Sequence, residues 1–526
     1  MVVCGISGRG RHAAAAIAID GRLVSAVEQA AVERFSHDAG GGGWPLAAID
    51  ACRSAAGLAA RNIGQFVWAH RHEITLECVR SPRHIRIGHE SVRGVRISRL
   101  AAFARLAKAA GAQSVIVADG PAAMLVPDAG TTSYLDRASG LLALACRLAT
   151  ALGLAHDDSA GAVAALEQLA ASYEPTGREW FEDIAVPVAN GNPSVDAAAF
   201  ESALALAAAE AGAPLADTTS TLVRKARVVA DVADSFLSVV AAHFGQLARA
   251  AGDGVMLTGG LFESPDFVAR VRRAAGWPCA VAPCSLAHGA ALGAALTGPA
   301  EAHDAFPADL ALGPDAGESE SKAVLENCRL DYLYEPRWPR LLQRVSRLLE
   351  RGKLVAWFQG RAEFGHPFNG SRSFLCDPSN RYARDNVNVF LLRRPVSAPI
   401  PLSMAPDAEE CMDFSAMSPL TLTRTAVAEA WRDRLRAGVD HQGYAHAHVV
   451  NDRSGLLGQL LLLHRQRTGV PGLANLPLRA ADDAAALFPR DAVRAAFASS
   501  ADALVIHRFV VMKDYWLMRD ETLAQV

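Results

Sequence analysis

The stretch Trp357-Phe-Gln-Gly-Arg361-Ala-Glu363-Phe-Gly365 sets an arginine and a glutamate two positions apart in a glycine-bearing loop, with Arg372-Ser373 shortly after it. Neither helix nor strand propensity accounts for those residues, and the loop follows an apolar run at 353–358 that reads as a strand. Polar loops at strand ends are where binding groups sit. A guanidinium offers a planar fork of donors that matches carboxylates and phosphates. Arg361, Arg372 and, further along, Arg394 are therefore candidates, together with Glu363, for binding an anionic substrate. The other fate open to each arginine is an ordinary surface or structural ion pair.

A second candidate is the run Gly254-Val-Met-Leu-Thr258, which leads into Gly259-Gly260 and then Ser264-Pro265. Serine before proline opens a helix, here expected over 266–275. Glycines let a backbone approach a ligand closely, and a helix N-terminus presents N–H groups to an anion. Gly259 and Gly260 are thus candidates for binding a nucleotide, a plain turn being the alternative. His12, His37, His288 and the pair His446/His448 carry imidazoles suited to a cofactor or divalent metal, although ordinary histidines would look the same.

The elements that must position these groups fall into two regions. Short apolar runs at 2–6, 14–19 and 23–27, with a turn at Asp20-Gly21, read as a strand meander. The same grammar returns at 114–119, Asp119-Gly120 and 123–126, which predicts a duplicated fold. Helical spacing of apolar residues over 193–251, strongest at 223–250, predicts long packed helices, and the small-residue run at 289–296 predicts a helix packed closely on its neighbours. Residues 1–298 are read as the first domain. Residues 299–335, poor in periodicity at the start, are read as a linker skirting the surface, and 336–526 as a mixed α and β domain with a helix at 457–467 and a closing strand at 503–512.

Composition narrows the function. The 526 residues are 51% apolar and 20% charged, so the chain can bury large cores. The net charge of −3, with no lysine or arginine block, argues against nucleic acid or an anionic membrane as partner and favours a small molecule. Glycine and arginine stand where a signal peptide would need its apolar stretch, so cytoplasmic residence is expected. The apolar run at 140–155 is interrupted by Arg147 and is expected to be a core helix. Nine cysteines without a CxxC pair are expected to be buried thiols.

Taken together, the chain resembles the O-carbamoyltransferases of antibiotic and nodulation-factor biosynthesis. Five stretches carry the resemblance: Gly5-Ile-Ser-Gly with 13–21; Val32-Glu-Arg-Phe-Ser-His37-Asp38 with Trp44-Pro45; Gly259-Gly260 with Pro283 and Gly293-Ala-Ala; the Arg361 loop with Arg372-Ser373; and Thr468-Gly-Val-Pro471 with Asn475. The resemblance implies an α/β architecture. Its large domain would be a duplicated ATPase-like domain of the actin and heat-shock-chaperone type, related to the tRNA threonylcarbamoyl-transfer protein, and its smaller C-terminal domain would be similar to threonylcarbamoyl-AMP synthase. It implies ATP as cofactor, carbamoyl phosphate as donor, a divalent metal in the large domain, a small-molecule hydroxyl as acceptor, and Asn475 among the catalytic residues.

This sequence departs from the family pattern at the chemistry. The His-Asp pair reads Arg11-His12. Two metal histidines four apart on a helix fall on Arg96 and Leu100, a third ligand is kept as Asp119, and a fourth falls on Ala287 beside His288. No lysine occurs before Lys108 or between Lys108 and Lys225. In the second domain a run with two arginines reads His366-Pro-Phe-Asn-Gly-Ser-Arg372-Ser373, Arg394 is kept while Leu392 and Ala398 stand at basic positions, and Asn475-Leu-Pro-Leu-Arg479 ends in arginine where the family has asparagine. Three readings follow: an active carbamoyltransferase with altered sites; a degenerate paralogue that binds a partner, an intact homologue or another copy of itself; or a different acyl or ligase reaction on the same scaffold.

Overall fold

In the computed structural model, which describes the chain apart from residues 9–12, 33–43, 59–62, 71–82, 88–89, 121, 129–131, 157, 174–175, 182–183, 185–194, 217–222, 285–288, 297–305, 308, 366–369, 393–397, 416, 481–482 and 515–526, the opening apolar runs form β1 (Val2–Ser7), β2 (Ala14–Ile19) and β3 (Arg22–Glu28). Asp20 and Gly21 turn between the last two with φ of 51° and 81°, a left-handed pair that Asp-Gly adopts readily. β4 (Gln65–His70) and β6 (Glu90–Ser98) then add in parallel beside β1, and β5 (Arg83–Ile87) closes the edge, giving the order β3-β2-β1-β4-β6-β5.

The plan repeats. β7 (Ser114–Asp119), β8 (Ala122–Val126) and β9 (Ser133–Tyr134) form an antiparallel meander, and β10 (Val255–Thr258) and β11 (Ala280–Val281) add in parallel to β7, in the order β11-β10-β7-β8-β9. A meander followed by parallel strands on its first strand occurs in both sheets, which is the duplication that the repeated strand-turn pattern predicted.

The expected long helix is Val223–Ala251, buried along most of its length, with Phe236 packed among Phe181 and Phe200 at ring distances of 5.5 and 6.1 Å. The apolar run at 140–155 lies largely in the core helix Asp136–Ala151. The small-residue run forms the helix Ala290–Ala295, and its glycine is dictated by backbone contact: a Cβ on Gly293 would stand 1.8 Å from the Ala102 carbonyl oxygen.

The C-terminal sheet has nine strands: β12 (Leu333–Tyr334), β13 (Val355–Phe358), β14 (Arg372–Cys376), β15 (Leu402–Met404), β16 (Thr423–Ala426), β17 (Tyr444–Val449), β18 (Gly472–Pro477), β19 (Ala503–Ile506) and β20 (Phe509–Met512). Two expectations are corrected. The closing strand at 503–512 is a hairpin, because His507 takes φ 47° and turns the chain between β19 and β20.

The segment expected to skirt the surface is instead threaded through the molecule. Leu310 and Leu312 are buried, the Leu312 carbonyl accepts from Ala26 N–H, and the Leu310 carbonyl accepts from Phe364 N–H. The helix Gly317–Asn327 follows, and β12 pairs with β20, so the C-terminal sheet takes its edge strand from before Pro336. Paired backbone groups and two buried leucines outweigh the loop-like composition of this segment.

Candidate functional site

The Arg361 loop is where the two domains are sewn together. Arg361 donates from Nε to the Gly313 carbonyl at 2.9 Å and from Nη2 to the carbonyls of Val24 at 3.0 Å and Leu312 at 2.8 Å. Ala362 and Phe364 enter two different apolar clusters of the large domain. Gly365, at φ 83°, donates its N–H to the Glu28 carboxylate and leaves only 2.7 Å between an added Cβ and Cys284 Sγ. Glu363 accepts from Ser371 N–H at 2.5 Å. The residues that no propensity explained are thus explained by contacts across the domain junction, and Arg361 is committed to backbone carbonyls.

Beside this seam lies a cavity of about 530 Å³ with walls from both domains. The large domain contributes Glu28 at the end of β3 and Glu263 after the Gly259-Gly260 turn, and the small domain contributes Glu363, Arg372, His446 and Arg479. Arg372 is 1% exposed, stacks on the Phe358 ring with its guanidinium carbon 3.5 Å from the centroid, and donates to the carbonyls of Gln359, Gly360 and Ser371. Its Nε has no hydrogen-bond partner among the described residues. Burial pulls its pKa down to about 10, against the opposing charge of Glu363, so it stays a cation at neutral pH. Burial, then the nearby charges of Asp119 and Glu28, push the Glu263 carboxyl well above the usual carboxylate range. The cavity therefore sets the buried Arg372 guanidinium beside an acid whose charged form burial disfavours.

Arg479 and Glu263 were not among the candidate site residues. Arg479 had a sequence signal in the replacement of a family asparagine by arginine. Glu263 had none, since its position depends on how the helix Pro265–Ala275 meets the sheet. Ser264 caps that helix by accepting from Phe267 N–H, Pro265 opens it and Gly276 ends it in the left-handed region, as the residue order predicted. Asp266 in its first turn receives Arg424 Nε at 2.9 Å and His446 Nε2 at 3.0 Å from the small domain. Burial would raise this carboxyl, but the His446 hydrogen bond and the charges of His446, Arg424 and Arg270 outweigh it and hold the pKa below the ordinary value.

Other candidates are placed elsewhere. A Cβ on Gly259, at φ 102°, would lie 2.2 Å from the Ala118 carbonyl oxygen, so this glycine allows β7 and the turn to touch each other. Gly260 stands by Ala160 and Asp119. Asn475 is fully buried in the sheet behind the cavity wall, where its Nδ2 donates to Ser403 Oγ at 2.8 Å. Ser403 Oγ in turn lies 2.6 Å from His448 Nε2. His446 and His448 do not share a site: although two apart on β17, one reaches Asp266 at the interface while the other is buried against Ser403. His12, His37, Ala287, His288 and Arg394 lie outside the described residues.

The family's metal positions are not assembled. Arg96 is on β6, exposed, with its guanidinium carbon 5.0 Å from the Trp68 ring centroid, whereas Leu100 is buried in the helix Arg99–Ala109. The strand ends between them at Ser98, which caps the helix by accepting from Ala101 N–H, so the two positions do not share a helix face. Asp119 at the end of β7 pairs with Arg99 at 2.8 Å, both side chains being nearly buried. Among the described residues, no three His, Cys, Asp or Glu side chains converge as metal ligands would.

Residues 346–513 match the sequence profile of the family described as Carbamoyltransferase C-terminus. Nodulation protein NolO of Bradyrhizobium diazoefficiens is 26% identical over 242 residues, covering 44% of this chain and 44% of that protein. Nodulation protein U of Azorhizobium caulinodans is 29% identical over 135 residues, covering 26% and 24%. The matches thus span less than half the length of these curated relatives. Among solved structures, (R)-2-hydroxyglutaryl-CoA dehydratase component A of Acidaminococcus fermentans covers 56% of this chain and 96% of its own at 16% identity and a TM-score of 0.34. The ROK hexokinase of Thermus thermophilus covers 56% and 98% at 17% identity and a TM-score of 0.27. Residues 346–513 thus carry the Carbamoyltransferase C-terminus domain, and the chain is distantly similar to nodulation proteins.

Proposed function

We propose that this chain transfers a carbamoyl group, drawn from carbamoyl phosphate with the help of ATP, to a hydroxyl of a small molecule held in the interdomain cavity. The observation that carries this reading is the cavity itself, about 530 Å³, walled by both domains and lined by Arg372, whose Nε has no partner among the described residues. That volume suits a small ligand. An anionic or carbonyl-bearing donor would meet the cationic side at Arg372 and Arg479, where buried donors are worth more than in water. Carbamate, formed as carbamoyl phosphate loses inorganic phosphate to water, attacks the α-phosphorus of ATP and expels pyrophosphate. The acceptor oxygen then forms a bond to the carbamoyl carbon of that adenylate, the bond from the carbon to the AMP oxygen breaks, and the hydroxyl proton passes to a base. Glu363, on the same wall, is the residue this reading assigns to that proton.

The test is pyrophosphate release by the purified full chain with ATP and carbamoyl phosphate, with and without added divalent metal. Release that Arg372→Ala lowers at least tenfold, with melting temperature checked in parallel, is the expected result. No release under any metal, together with no change in melting temperature on adding ATP, would overturn it. The degenerate-paralogue reading would then hold, and co-purification with an intact homologue would be the observation to seek.

A further inference from the structure

The family resemblance places a divalent cation at the end of β7. We infer that in this chain the cation at that place is the Arg99 guanidinium, and that the large domain has no Asp119-dependent metal site.

The geometry is local and complete. β6 ends at Ser98, whose side chain starts the next helix, so Arg99 is its first residue and is delivered to the mouth of the sheet beside Asp119. Arg99 Nη2 lies 2.8 Å from Asp119 Oδ1, and the two side chains are 9% and 6% exposed. A guanidinium at that distance is a charge-assisted donor to the oxygen that a metal would need. A metal ion arriving there would be repelled by the same guanidinium, and displacing Arg99 would strand a buried cation.

Among the described residues, the other family positions do not compensate. A hard divalent ion takes several oxygen or nitrogen donors at once. Leu100 offers none and packs in the apolar cluster with Phe103 and Ala104. Arg96 carries a second positive charge and is turned toward Trp68. Of the family's ligand positions, the described ones retain a single carboxylate, Asp119, and it is paired with Arg99. The replacement is consistent at the described positions: the two histidines lost are exchanged for an apolar residue and an outward cation, while Asp119 gains an internal counter-ion in Arg99.

The experiment uses the full chain after treatment with EDTA, titrated with Mn²⁺ and followed by the paramagnetic resonance signal of the free ion, then with Zn²⁺ against a chromophoric competitor. Wild type and Asp119→Asn are expected to leave the same free-ion curves. Uptake of one ion per chain in the micromolar range that Asp119→Asn removes would overturn the inference. Should Asp119→Asn fail to fold, the absence of saturable uptake by the wild type carries the expected result, and micromolar uptake of one ion contradicts it.

Thermal unfolding supplies the second reading. Arg99→Leu and Asp119→Leu each leave one buried charge uncompensated and are expected to lower the melting temperature, while the double variant recovers most of the loss. Additive losses in the double variant would show that the two side chains do not compensate each other, and the inference would fail. Both readings are independent of whether the chain transfers carbamoyl groups, so they stand or fall apart from the proposed activity.

Discussion

His448 shows how one side chain can tie the sheet to pH. It is fully buried, faces Ser403 and Asn475, and burial pulls its pKa from 6.5 to about 4, against a backbone hydrogen bond with Pro419. The folded imidazole therefore stays neutral while the unfolded one takes up a proton. Stability from this residue is fully present above pH 6.5 and is lost as pH falls toward the folded value. The full span is worth about 3 kcal/mol. Urea unfolding of the wild type between pH 7 and pH 5, a range of about 2 units chosen to stay above most carboxylates, is expected to show this slope. His448→Gln keeps an acceptor for Ser403 and is expected to flatten it; an unchanged slope would place the titration elsewhere. That His446 and His448 do not act together was not legible in the sequence, because residues two apart on a strand share a face and the sequence does not show which partner each one meets. Here Asp266 of the other domain claims one of them. Arg99 was not legible, since a search for ligand types passes over the neighbouring residue that replaces a ligand.

At the scale of elements, the seam at 360–365 makes a sharper demand than any helix or strand. Within six residues it needs two left-handed glycines, a guanidinium with three carbonyl acceptors in two segments, and apolar side chains in two separate cores. Gly365→Ala would place a side chain at φ 83° with its Cβ 2.7 Å from Cys284 Sγ. Backbone strain of this kind costs about 1–3 kcal/mol. Equilibrium unfolding should show a loss of that size, and Cys284→Ala in the same chain should return only the steric part; full recovery would mean that the backbone conformation costs nothing. The strand–turn–helix grammar that located β10 and the helix Pro265–Ala275 was readable because caps, turns and periodicity are local. The seam was recognisable as unusual but not interpretable, because its partners at Val24, Leu312 and Cys284 are far away in sequence. The linker was misread for the same reason: Leu310 and Leu312 look unremarkable until β3 and the 361–364 loop close on them.

For the molecule as a whole, the position of the two domains decides whether a cavity exists at all, and the ionic tie at Asp266 is poised to hold it. Arg424 is 13% exposed, stacks on the Tyr444 ring at 4.0 Å, and spans Asp266 of the large domain and Asp440 of its own. His446 reaches the same carboxylate from the cavity wall. A charge-assisted hydrogen bond in such a setting contributes about 2 kcal/mol, far above an exposed pair such as Arg53 with Asp50. Asp266→Ala should therefore loosen the junction without dissolving either core. Hydrogen exchange is expected to rise in β16, β17 and the first turn of the Pro265–Ala275 helix, while β13 and β19 in the middle of the C-terminal sheet stay protected. The depressed pKa fixes the pH sign: the tie is fully present above the ordinary carboxylate value of 3.8 and is lost as pH falls through the lower folded value. Wild-type exchange at the junction should approach that of Asp266→Ala only under strong acid, whereas Asp50→Ala should change neither. Equal exchange in wild type and Asp266→Ala at neutral pH would mean that the Arg361 seam alone keeps the domains, and with them the cavity, in place.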